Sequence, residues 1–372
     1  MVLQAEKAYA KDEGFQYSAE ILRSPEQFRR LSREAGDLLR EQEDTRKPCF
    51  FLASVDGNTW APLVVVVTRA KSTVGIVYAK ERKFAGIPIG LIYADATLDA
   101  MVVASPADRE PVLRAALDGL IDETGARGLR VVVPAAGFER DAIHSFLRLR
   151  SLDVHFAGVK NHCALDLPPS YDALLEKFGR RSRRNFRYYR RRFEDLGNTY
   201  VDQVPLAEFR RVAFDLLKKS VVGADRNEIE RALRMLAAVR HPIMVGLRHK
   251  NGEWLSILGG WYEVDRAVVF SQLNNDRDYP HSALSTVLRG YLIEGLIARN
   301  IPSLFFWGGV LGPLLPYCWF LPAVCAHLDI PTFTWRTLRG LIGWMSGFLP
   351  ARLGVSASWV APRVSHEHGE MV

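Results

Sequence analysis

The sequence has little cysteine, and its cysteines are not arranged as a framework. Its 372 residues include four cysteines, whose spacing matches neither a set of disulfides nor a zinc-ligand motif. The first twenty residues are polar and lack the apolar core of a secretory signal. These absences exclude the class of small disulfide-stabilised secreted domains, and they favour a cytoplasmic protein with reduced thiols.

Motifs of several common enzyme classes are also missing. The sequence contains no Walker A loop, no GxGxxG after a strand, no HExxH and no GxSxG. Its nine histidines cluster only at His366 and His368, in a polar tail. P-loop nucleotide hydrolysis, Rossmann-type dinucleotide binding, zinc-protease chemistry and α/β-hydrolase chemistry are therefore not indicated. No bound metal is expected.

The composition is that of a globular protein, with 48% hydrophobic and 24% charged residues. At 372 residues the chain is long for one hydrophobic core. We therefore expect two domains of ordinary size.

The most unusual stretch is YDALLEKFGRRSRRNFRYYRRRFEDLG, which runs from Tyr171 to Gly197. Between Arg180 and Arg192 it carries eight arginines and no acid, whereas the whole chain has 49 basic and 42 acidic residues. The rest of the chain is therefore close to neutral. Apolar side chains recur every three or four residues and the arginines fall opposite them. This pattern predicts one amphipathic helix over residues 171–196, with a packed side and a cationic side.

The cationic side of this helix has two interpretations. A run of like charges is often only a solvated face. Crowded guanidinium groups also repel one another, and an anionic partner would offset that cost. Such a partner would be a phosphate-bearing ligand, nucleic acid or a lipid surface. In this second interpretation Arg184, Arg187 and Arg191 form an anion clamp.

The order of periodic segments predicts an α+β fold with two related mixed-sheet modules in tandem, linked by the arginine-rich helix, because strands, helix and strand recur in both halves. The predicted divisions are a loose N-terminus at 1–17, an N-terminal module at 18–168, a C-terminal module at 169–350 that includes the arginine-rich helix, and a tail at 351–372. The predicted strands are 49–55, 62–70, 73–80, 89–97, 129–134, 163–167, 243–249, 255–262, 267–274 and 303–307. The other predicted helices are 25–42, 108–124, 140–150, 206–220, 227–239 and 282–299.

Residues 301–328 carry no charge and would be long enough to span a bilayer. Prolines and glycines within this span, among them Pro313 and Pro316, argue against a spanning helix. We expect the span to pack against protein or to rest on a membrane surface. The following residues, 334–349, have an apolar stripe that predicts a helix capping the core or lying at a membrane interface. The membrane alternatives include peripheral contact with an anionic membrane surface.

A strand, a polar loop and a helix follow one another in the C-terminal module. The loop, residues 275–281, leads to Ser282, which is predicted to cap the helix. The amides of Ala283, Leu284 and Ser285 would then face outward and favour an anion such as a pyrophosphate. Every helix has such a start, so an ordinary structural helix is the alternative interpretation.

The segments GLRHKNGEWLSILGGWY, LNND, PHSALSTVLRGYLIEGLIARNI and LFFWGG together resemble the C-terminal module of the FemAB- and CelD-like (BioF2-like) branch of the GNAT acyltransferases. The resemblance implies that both mixed-sheet modules are GNAT-like. It covers residues 160–310 and extends to the first module only by element order. It implies transfer of an acyl or aminoacyl group from a thioester or ester donor to an amine, with an envelope or polysaccharide precursor among the acceptors it suggests. The implied donor is acyl-CoA, and aminoacyl-tRNA is the second choice.

The resemblance also implies where the donor would bind, at a phosphate loop and at the end of a strand that pairs with a pantetheine-like arm. The residues carried over for the loop and then for the strand end are His281, Ser282, Ala283 and Leu284, and Leu273 and Asn274. The family's usual glycine after the Ser-Pro of this loop is absent, because the sequence here reads PHSA.

Amide formation from such a donor needs a base for the incoming ammonium and an acid for the leaving group. Near the strand ends, Glu263, Asp276 and Asp278 are the acidic candidates, and Tyr279 or Tyr291 could protonate the leaving thiolate. Each also has a structural interpretation as a turn-stabilising, solvated or core side chain. The competing function is a non-catalytic GNAT-fold module that binds nucleic acid or anionic lipid through the arginine-rich helix.

Overall fold

The computed structural model describes residues 17–95, 101–150, 154–159, 162–221, 225–308, 310 and 312–329. They form two mixed β-sheets, each packed between helices, so the predicted α+β class with two GNAT-like modules is confirmed. The helix predicted at 334–349, the predicted tail and all but the last residue of the predicted loose N-terminus lie outside the described residues.

The first half of the chain supplies most of an eight-stranded sheet. Its elements are β1 (Tyr17–Leu22), α1 (Pro25–Glu34), α2 (Gly36–Arg40), a 3-10 helix (Asp44–Arg46), α3 (Pro48–Ser54), β2 (Trp60–Arg69), β3 (Ser72–Phe84), β4 (Ile87–Asp95), β5 (Val102–Ala104), α4 (Arg109–Asp122), β6 (Gly128–Pro134), α5 (Phe138–Leu149), β7 (Val154–Val159) and β8 (Cys163–Asp166). The β-branched run from Leu63 to Val67 is buried at every position, because helices cover both faces of this sheet.

The second half supplies most of a seven-stranded sheet. Its elements are α6 (Tyr171–Lys177), α7 (Arg180–Asp195), β9 (Thr199–Val201), α8 (Leu206–Leu217), α9 (Arg226–Ala237), β10 (Pro242–Arg248), β11 (Trp254–Tyr262), β12 (Ala267–Asn274), α10 (Leu284–Ala298), β13 (Ser303–Phe306), a 3-10 helix (Gly312–Tyr317), β14 (Trp319–Phe320) and β15 (Ala323–Asp329). Helices α6, α7 and α10 cover one face of this sheet, and α8, α9 and α3 pack on the other.

The two halves of the chain exchange strands. The first sheet has the order β1-β2-β3-β4-β6-β15-β7, with β5 paired to β3, and the second has the order β14-β8-β13-β12-β11-β10-β9. Strand β15 therefore lies in the sheet of the first half, and β8 lies in the sheet of the second. Each of these strands lies on one side of the predicted division at residues 168 and 169 and belongs to the sheet of the other side. The division into two domains therefore remains a prediction.

The uncharged span packs against protein, which confirms that expectation for its described part. Val310 and Leu314 are buried, and β15 pairs with β6 on one side and with β7 on the other. Among the residues that the structure describes, no helix combines the length and the hydropathy needed to cross a bilayer.

The strand predicted at 49–55 is wrong, because these residues form helix α3. Pro48 occupies the first turn, where its fixed φ and missing amide suit a helix start. Phe50 then packs edge-on against Trp261 of the second sheet, with 5.1 Å between ring centroids. A short apolar run has no period that distinguishes a strand from a buried helix, and here tertiary packing decides.

The single helix predicted over 171–196 is also wrong, because it is two helices, α6 and α7, separated at Phe178 and Gly179. Phe178 has extended backbone angles and is buried. Its ring stacks on Tyr317 at 4.4 Å, and the Tyr317 hydroxyl accepts a hydrogen bond from the Gly179 amide at 2.7 Å. The amphipathic pattern nevertheless holds in α7, where Phe186 and Phe193 face the core.

Candidate functional site

A cavity of about 680 Å³ lies between the two sheets and is lined by both halves of the chain. Strands β3 and β4 with helix α3 form one wall, and β12, α9 and the residues after β13 form the other. Its aromatic lining includes Trp261, which packs edge-on against Trp307 at 5.5 Å between centroids. Its charged and amide side chains are Lys80, Asp95, His162, Glu228, Arg231 and Gln272. Among these residues an apolar wall and a few polar groups converge, as in small-molecule sites.

The cavity lies beside the point where two neighbouring strands, β12 and β13, separate. The parallel pairing of β12 with β13 covers three positions and ends at Val269 and Phe306. Strand β12 continues to Asn274, and Phe270 forms a bulge opposite Gly259 and Gly260. Gly260 is required there, because a Cβ would meet the Val268 carbonyl oxygen at 2.0 Å. A bulge bends and twists its strand, which here accompanies the parting of β12 from β13.

Helix α10 starts without a side-chain cap. The preceding residue is Ala283, with φ 46° and ψ 43°, so the prediction of Ser282 as the cap is wrong by one residue. The Ser282 amide donates instead to the Tyr279 carbonyl at 3.2 Å. Within the described part of the chain, the amides of Leu284 and Ser285 have no acceptor. Ala283 thus adopts, at some cost, the left-handed conformation that glycine adopts freely.

Asn274 connects the end of β12 to the start of α10. Its side-chain nitrogen donates to the Ser285 hydroxyl at 2.8 Å, and its oxygen accepts from the Ser256 hydroxyl at 2.6 Å. Asn274 is buried, and its neighbour Leu273 is buried while lining the cavity. The structure therefore brings the predicted strand-end residues together with the uncapped helix start, and the strand end reaches the cavity through Leu273.

The loop between β12 and α10 is braced by an ionic network at Glu253. The Lys219 ammonium lies 2.8 Å from the Glu253 carboxylate and 2.9 Å from that of Asp278. The side-chain nitrogen of buried Asn275 donates to both carboxylates, at 3.3 and 3.0 Å. The hydrogen bond from Lys219 is the largest cause that lowers the pKa of Asp278. These bonds hold the loop against Lys219 and Glu253.

The predicted residues Asp276 and Tyr279 belong to this braced loop. The Val221 amide donates to Asp276 at 3.5 Å, and the Tyr279 hydroxyl donates to Glu253 at 3.3 Å. Desolvation is the first cause that raises the pKa of Tyr279, followed by the charge of Glu253. His281 is exposed on the same loop. Neither Asp276 nor Tyr279 lines the cavity.

Glu263 lies at the other end of the β11–β12 hairpin. Its buried carboxylate pairs with Arg266 at 2.5 Å and accepts from the Trp261 indole at 3.0 Å. The eight residues of β12 separate it from Asp276 and Tyr279, a distance of roughly 26 Å along the strand. The three predicted catalytic residues are therefore not brought together, and Glu263 has the contacts of a structural residue.

Tyr291 is remote from the cavity as well. It lies on α10 at the face that packs against α7, and its hydroxyl donates to Glu194 at 2.6 Å. Its ring stacks on Tyr200 at 4.8 Å, which is the core role that the sequence left open.

Lys80 is a cavity residue that the sequence did not single out. It is partly buried on β3, and its ammonium lies 4.8 Å from the ring centroids of both Trp60 and Tyr93. Burial lowers its pKa to about 8; the charge of Asp95 opposes this shift and that of Arg231 adds to it. The only sequence signal is a lysine at the end of an apolar strand run, and many solvated lysines share it.

His162 and Asp95 add two polar groups to the same cavity. The Gly308 amide donates to Nδ1 of His162 at 2.9 Å, and burial lowers the pKa of this imidazole. The neutral ring therefore carries its proton on Nε2 and can donate it to a ligand. Asp95 accepts from the Tyr93 hydroxyl at 3.2 Å. Asp95 ends β4 of the first sheet, whereas His162 directly precedes β8 of the second sheet. The two residues are far apart in the chain, which is why sequence spacing did not connect them.

The arginine-rich face of α7 is a separate surface. Helix α7 packs with α10 on the face of the second sheet opposite α9, and none of its residues lines the cavity. Arg184 and Arg191 are exposed and have no carboxylate partner among the described residues. Arg187 reaches Asp172 at 3.4 Å, and Arg190 pairs with Glu294 at 2.6 Å. In the described part of the chain, no group of three or more His, Cys, Asp and Glu residues is placed to hold a metal ion.

No family model matches the sequence, and no curated protein matches it. Solved structures do resemble the fold. FemX is 10% identical over 82% of this chain and 96% of its own, with a TM-score of 0.54. L-PGS from Bacillus licheniformis is 12% identical over 85% of this chain and 95% of its own, with a TM-score of 0.52. The C-terminal domain of a putative lysylphosphatidylglycerol synthetase from Agrobacterium fabrum is 11% identical over 84% and 95%, with a TM-score of 0.54. At these identities the likeness concerns the fold, and the chain therefore has a tandem GNAT-like fold that it shares with these proteins.

Proposed function

We propose that this protein is an N-acyltransferase that moves an acyl group from a thioester donor to an amine bound in the cavity. The observation that carries the proposal is the continuity of three features: an uncapped helix start, the parted edge of β12 and a cavity of about 680 Å³. A phosphate-bearing arm laid along this path would reach the cavity with its acyl end. The fold shared with FemX and L-PGS is consistent with this function.

The donor binds with its phosphates at the amides of Leu284 and Ser285, where the helix dipole favours an anion. Its arm runs beside Leu273 and Asn274, along backbone that β13 leaves unpaired. Asp276, Tyr279 and His281 serve as residues of the donor loop, with Asp276 and Tyr279 helping to fix its shape. Glu263 stabilises the hairpin at the far end of the sheet.

The acceptor amine occupies the cavity between the modules. Asp95 binds the incoming ammonium and takes one proton from it. The amine nitrogen then attacks the donor carbonyl, so that a C–N bond forms, the C–S bond breaks, and the thiolate takes the second proton of the amine. His162 offers Nε2–H to the oxygen that becomes negative during attack.

Acyl-CoA is the proposed donor and aminoacyl-tRNA the second choice. The test is to incubate the full chain with labelled acetyl-CoA, or with a labelled aminoacyl-tRNA, and a mixture of primary amines, and to follow the label by mass spectrometry. Transfer that saturates with donor supports the proposal and identifies the donor. If coenzyme A and its thioesters neither shift the melting temperature nor transfer, and aminoacyl-tRNA also fails, the enzyme proposal is wrong.

The exposed arginines of α7 favour one alternative, a non-catalytic module that holds nucleic acid or anionic lipid. Binding to tRNA or anionic vesicles that weakens steeply with salt, with no effect of any donor, would support this alternative. An enzyme that uses the same face to approach an anionic membrane surface would show both salt-sensitive binding and transfer.

A further inference from the structure

Two cationic side chains of the cavity form no ion pair with any residue that the structure describes. The Lys80 ammonium makes no hydrogen bond and no ion pair with any residue that the structure describes. It lies over the rings of Trp60 and Tyr93. An ammonium removed from water without an acceptor costs stability, and stacking on aromatic rings offsets only part of that cost. Such a group is arranged for something other than folding.

Arg231 faces the same cavity from helix α9, in the other half of the chain. It too has no hydrogen bond or ion pair with the described residues. Its neighbours on the helix differ, because Arg226 pairs with Glu230 at 3.1 Å and Arg234 donates to the Val55 carbonyl at 3.4 Å. Arg231 is also close enough to Lys80 for the two charges to repel each other.

Neither carboxylate of the cavity lining is paired with these cations. Glu228 closes the capping box of α9, where its side chain accepts from the Asp225 amide at 3.1 Å. Asp95 accepts from Tyr93. Two like charges therefore face one cavity from opposite walls. The charges of Asp95 and Asp56 attract Lys80, and that of Asp56 attracts Arg231, but none of these acids forms an ion pair with either cation.

We propose that Lys80 and Arg231 together bind an acidic group, a carboxylate or a phosphate, on the acceptor amine. The inference rests on the proposed function for the identity of the cavity as the acceptor site. A compact ammonium and a planar guanidinium suit two oxygens of one acidic group. Because one cation comes from each half, the acidic group would also bridge the two modules. The acceptor class is thus an amine that carries an acid, as in amino acids and amino phosphates.

The test measures binding of matched acceptors by calorimetry, so it does not depend on turnover. The pairs are β-alanine with propylamine, and phosphoethanolamine with ethanolamine, which differ in the acidic group. We expect the acidic member of at least one pair to bind the full chain at least tenfold more tightly. The pair that shows the preference distinguishes carboxylate from phosphate. Equal binding within both pairs would overturn the inference.

Substitutions of Lys80 and Arg231 test whether these two residues cause the preference for the acidic acceptor. Lys80→Met and Arg231→Met should each remove most of the preference, whereas Lys80→Arg should keep part of it. The matched control is Arg234→Met, which removes an exposed arginine of the same helix outside the cavity lining and should leave the preference unchanged. A preference that survives the Lys80→Met/Arg231→Met double variant overturns the inference. Loss of transfer from every donor, with the preference intact, would instead overturn the proposed function alone.

Discussion

The two modules contain the same strand-helix-strand unit, and the units differ at the point where a donor would bind. In the first module, β4 and β6 are paired at five positions that reach the last residue of β4, Asp95. In the second, β12 and β13 are paired at three positions, and β12 continues alone to Asn274. Among the described residues, which stop at Asp95 after β4, the second unit alone leaves a strand edge unpaired at this position.

The helices that follow these strands also start differently. Helix α4 begins after Asp108, whose buried carboxylate accepts from Arg69 at 2.7 Å and from the Tyr17 hydroxyl at 3.0 Å. Glu110 adds a second acid in the first turn. Helix α10 begins after Ala283 and has no acid in its first turn. The anion at the first helix start is supplied by the protein, whereas the second start leaves that position to a ligand.

The difference teaches that one fold unit can serve for stability or for binding, depending on a few residues at one helix end. In the first module the unit is closed by internal ion pairs. In the second, the first turn of the helix carries no acidic side chain. The loop before it is held instead by the ionic network at Glu253. Substitutions at the two helix starts test this difference.

The largest expected effect comes from making the second helix start resemble the first. Ala283→Asp places a carboxylate beside Leu284 and Ser285, where it competes with the donor phosphates. Aspartate tolerates the left-handed conformation of this residue, so the variant should fold. We expect the rise in melting temperature caused by acetyl-CoA to disappear. Scanning fluorimetry over a titration of donor measures it.

The control for this change is Ala283→Asn, which has the same shape and the same backbone tolerance without the charge. It should keep most of the donor-induced shift. If Asn and Asp abolish the shift equally, crowding and not charge explains the loss. If Asp leaves the shift unchanged, the donor does not bind at the start of α10.

The second prediction separates the arginine face from the donor site. Replacing Arg184, Arg187 and Arg191 by Gln should weaken binding to tRNA or anionic vesicles at least tenfold at low salt, because these contacts are electrostatic. The free energy of unfolding should change by less than about 1 kcal/mol, since exposed charges contribute little to folding. The acetyl-CoA shift should stay as in the wild type. Unfolding of the triple variant would show that this face is part of the core.

The third prediction removes the acid from the first helix start. Asp108→Ala breaks a buried ion pair and leaves Arg69 and Ser105 without this acceptor. We expect a loss of about 2 to 3 kcal/mol in the free energy of unfolding, measured by urea denaturation. The exposed Glu110→Ala is the control and should cost less than about 0.5 kcal/mol. A second donor site appearing in Asp108→Ala would contradict the claim that an open strand edge is also required.

The smallest expected effect is a gain in stability. Burial lowers the pKa of Lys80 from 10.5 to about 8. Below about pH 8 the amine is protonated in both the folded and the unfolded chain, and the buried ammonium then lowers the free energy of unfolding. Between about pH 8 and 10.5 the unfolded chain binds more protons, and wild-type stability should rise with pH. Lys80→Met should therefore be more stable than the wild type by about 1 to 3 kcal/mol at pH 7, with a smaller difference at pH 9.5. Urea denaturation at the two pH values checks it, and an equal difference at both would show that the amine is not buried.

Much of the fold could be predicted from periodicity. Long apolar runs gave β2, β3, β4, β11 and β12 within a few residues, and helical spacing gave α4, α8, α9 and α10. The short strands β1, β5, β7, β9 and β14 were missed, since a few residues carry no clear period. The loop between β12 and α10 was located correctly because its polar residues stand between a strand and a helix, although the helix cap was placed one residue early.

The candidate site could be predicted only in part. Leu273, Asn274 and Leu284 lie together as expected, because they are close in sequence. Lys80 and Arg231, to which we assign the acidic group of the acceptor, were missed, because they are far apart in the chain and line one cavity only in the folded structure. Glu263 was chosen for its place at a strand end, and the antiparallel hairpin then put it at the opposite edge of the sheet.

The sequence by itself determined the class of fold, the cationic face of α7 and the strand-loop-helix that can hold an anion, since each depends on neighbours within one segment. The tertiary structure decided the exchange of β8 and β15, the break at Phe178 and the parting of β12 from β13. It also decided which acids pair internally and which cations stay open to a ligand. The reason is physical: hydrogen-bond pairing, burial and charge compensation between distant segments are properties of contacts that no local pattern contains.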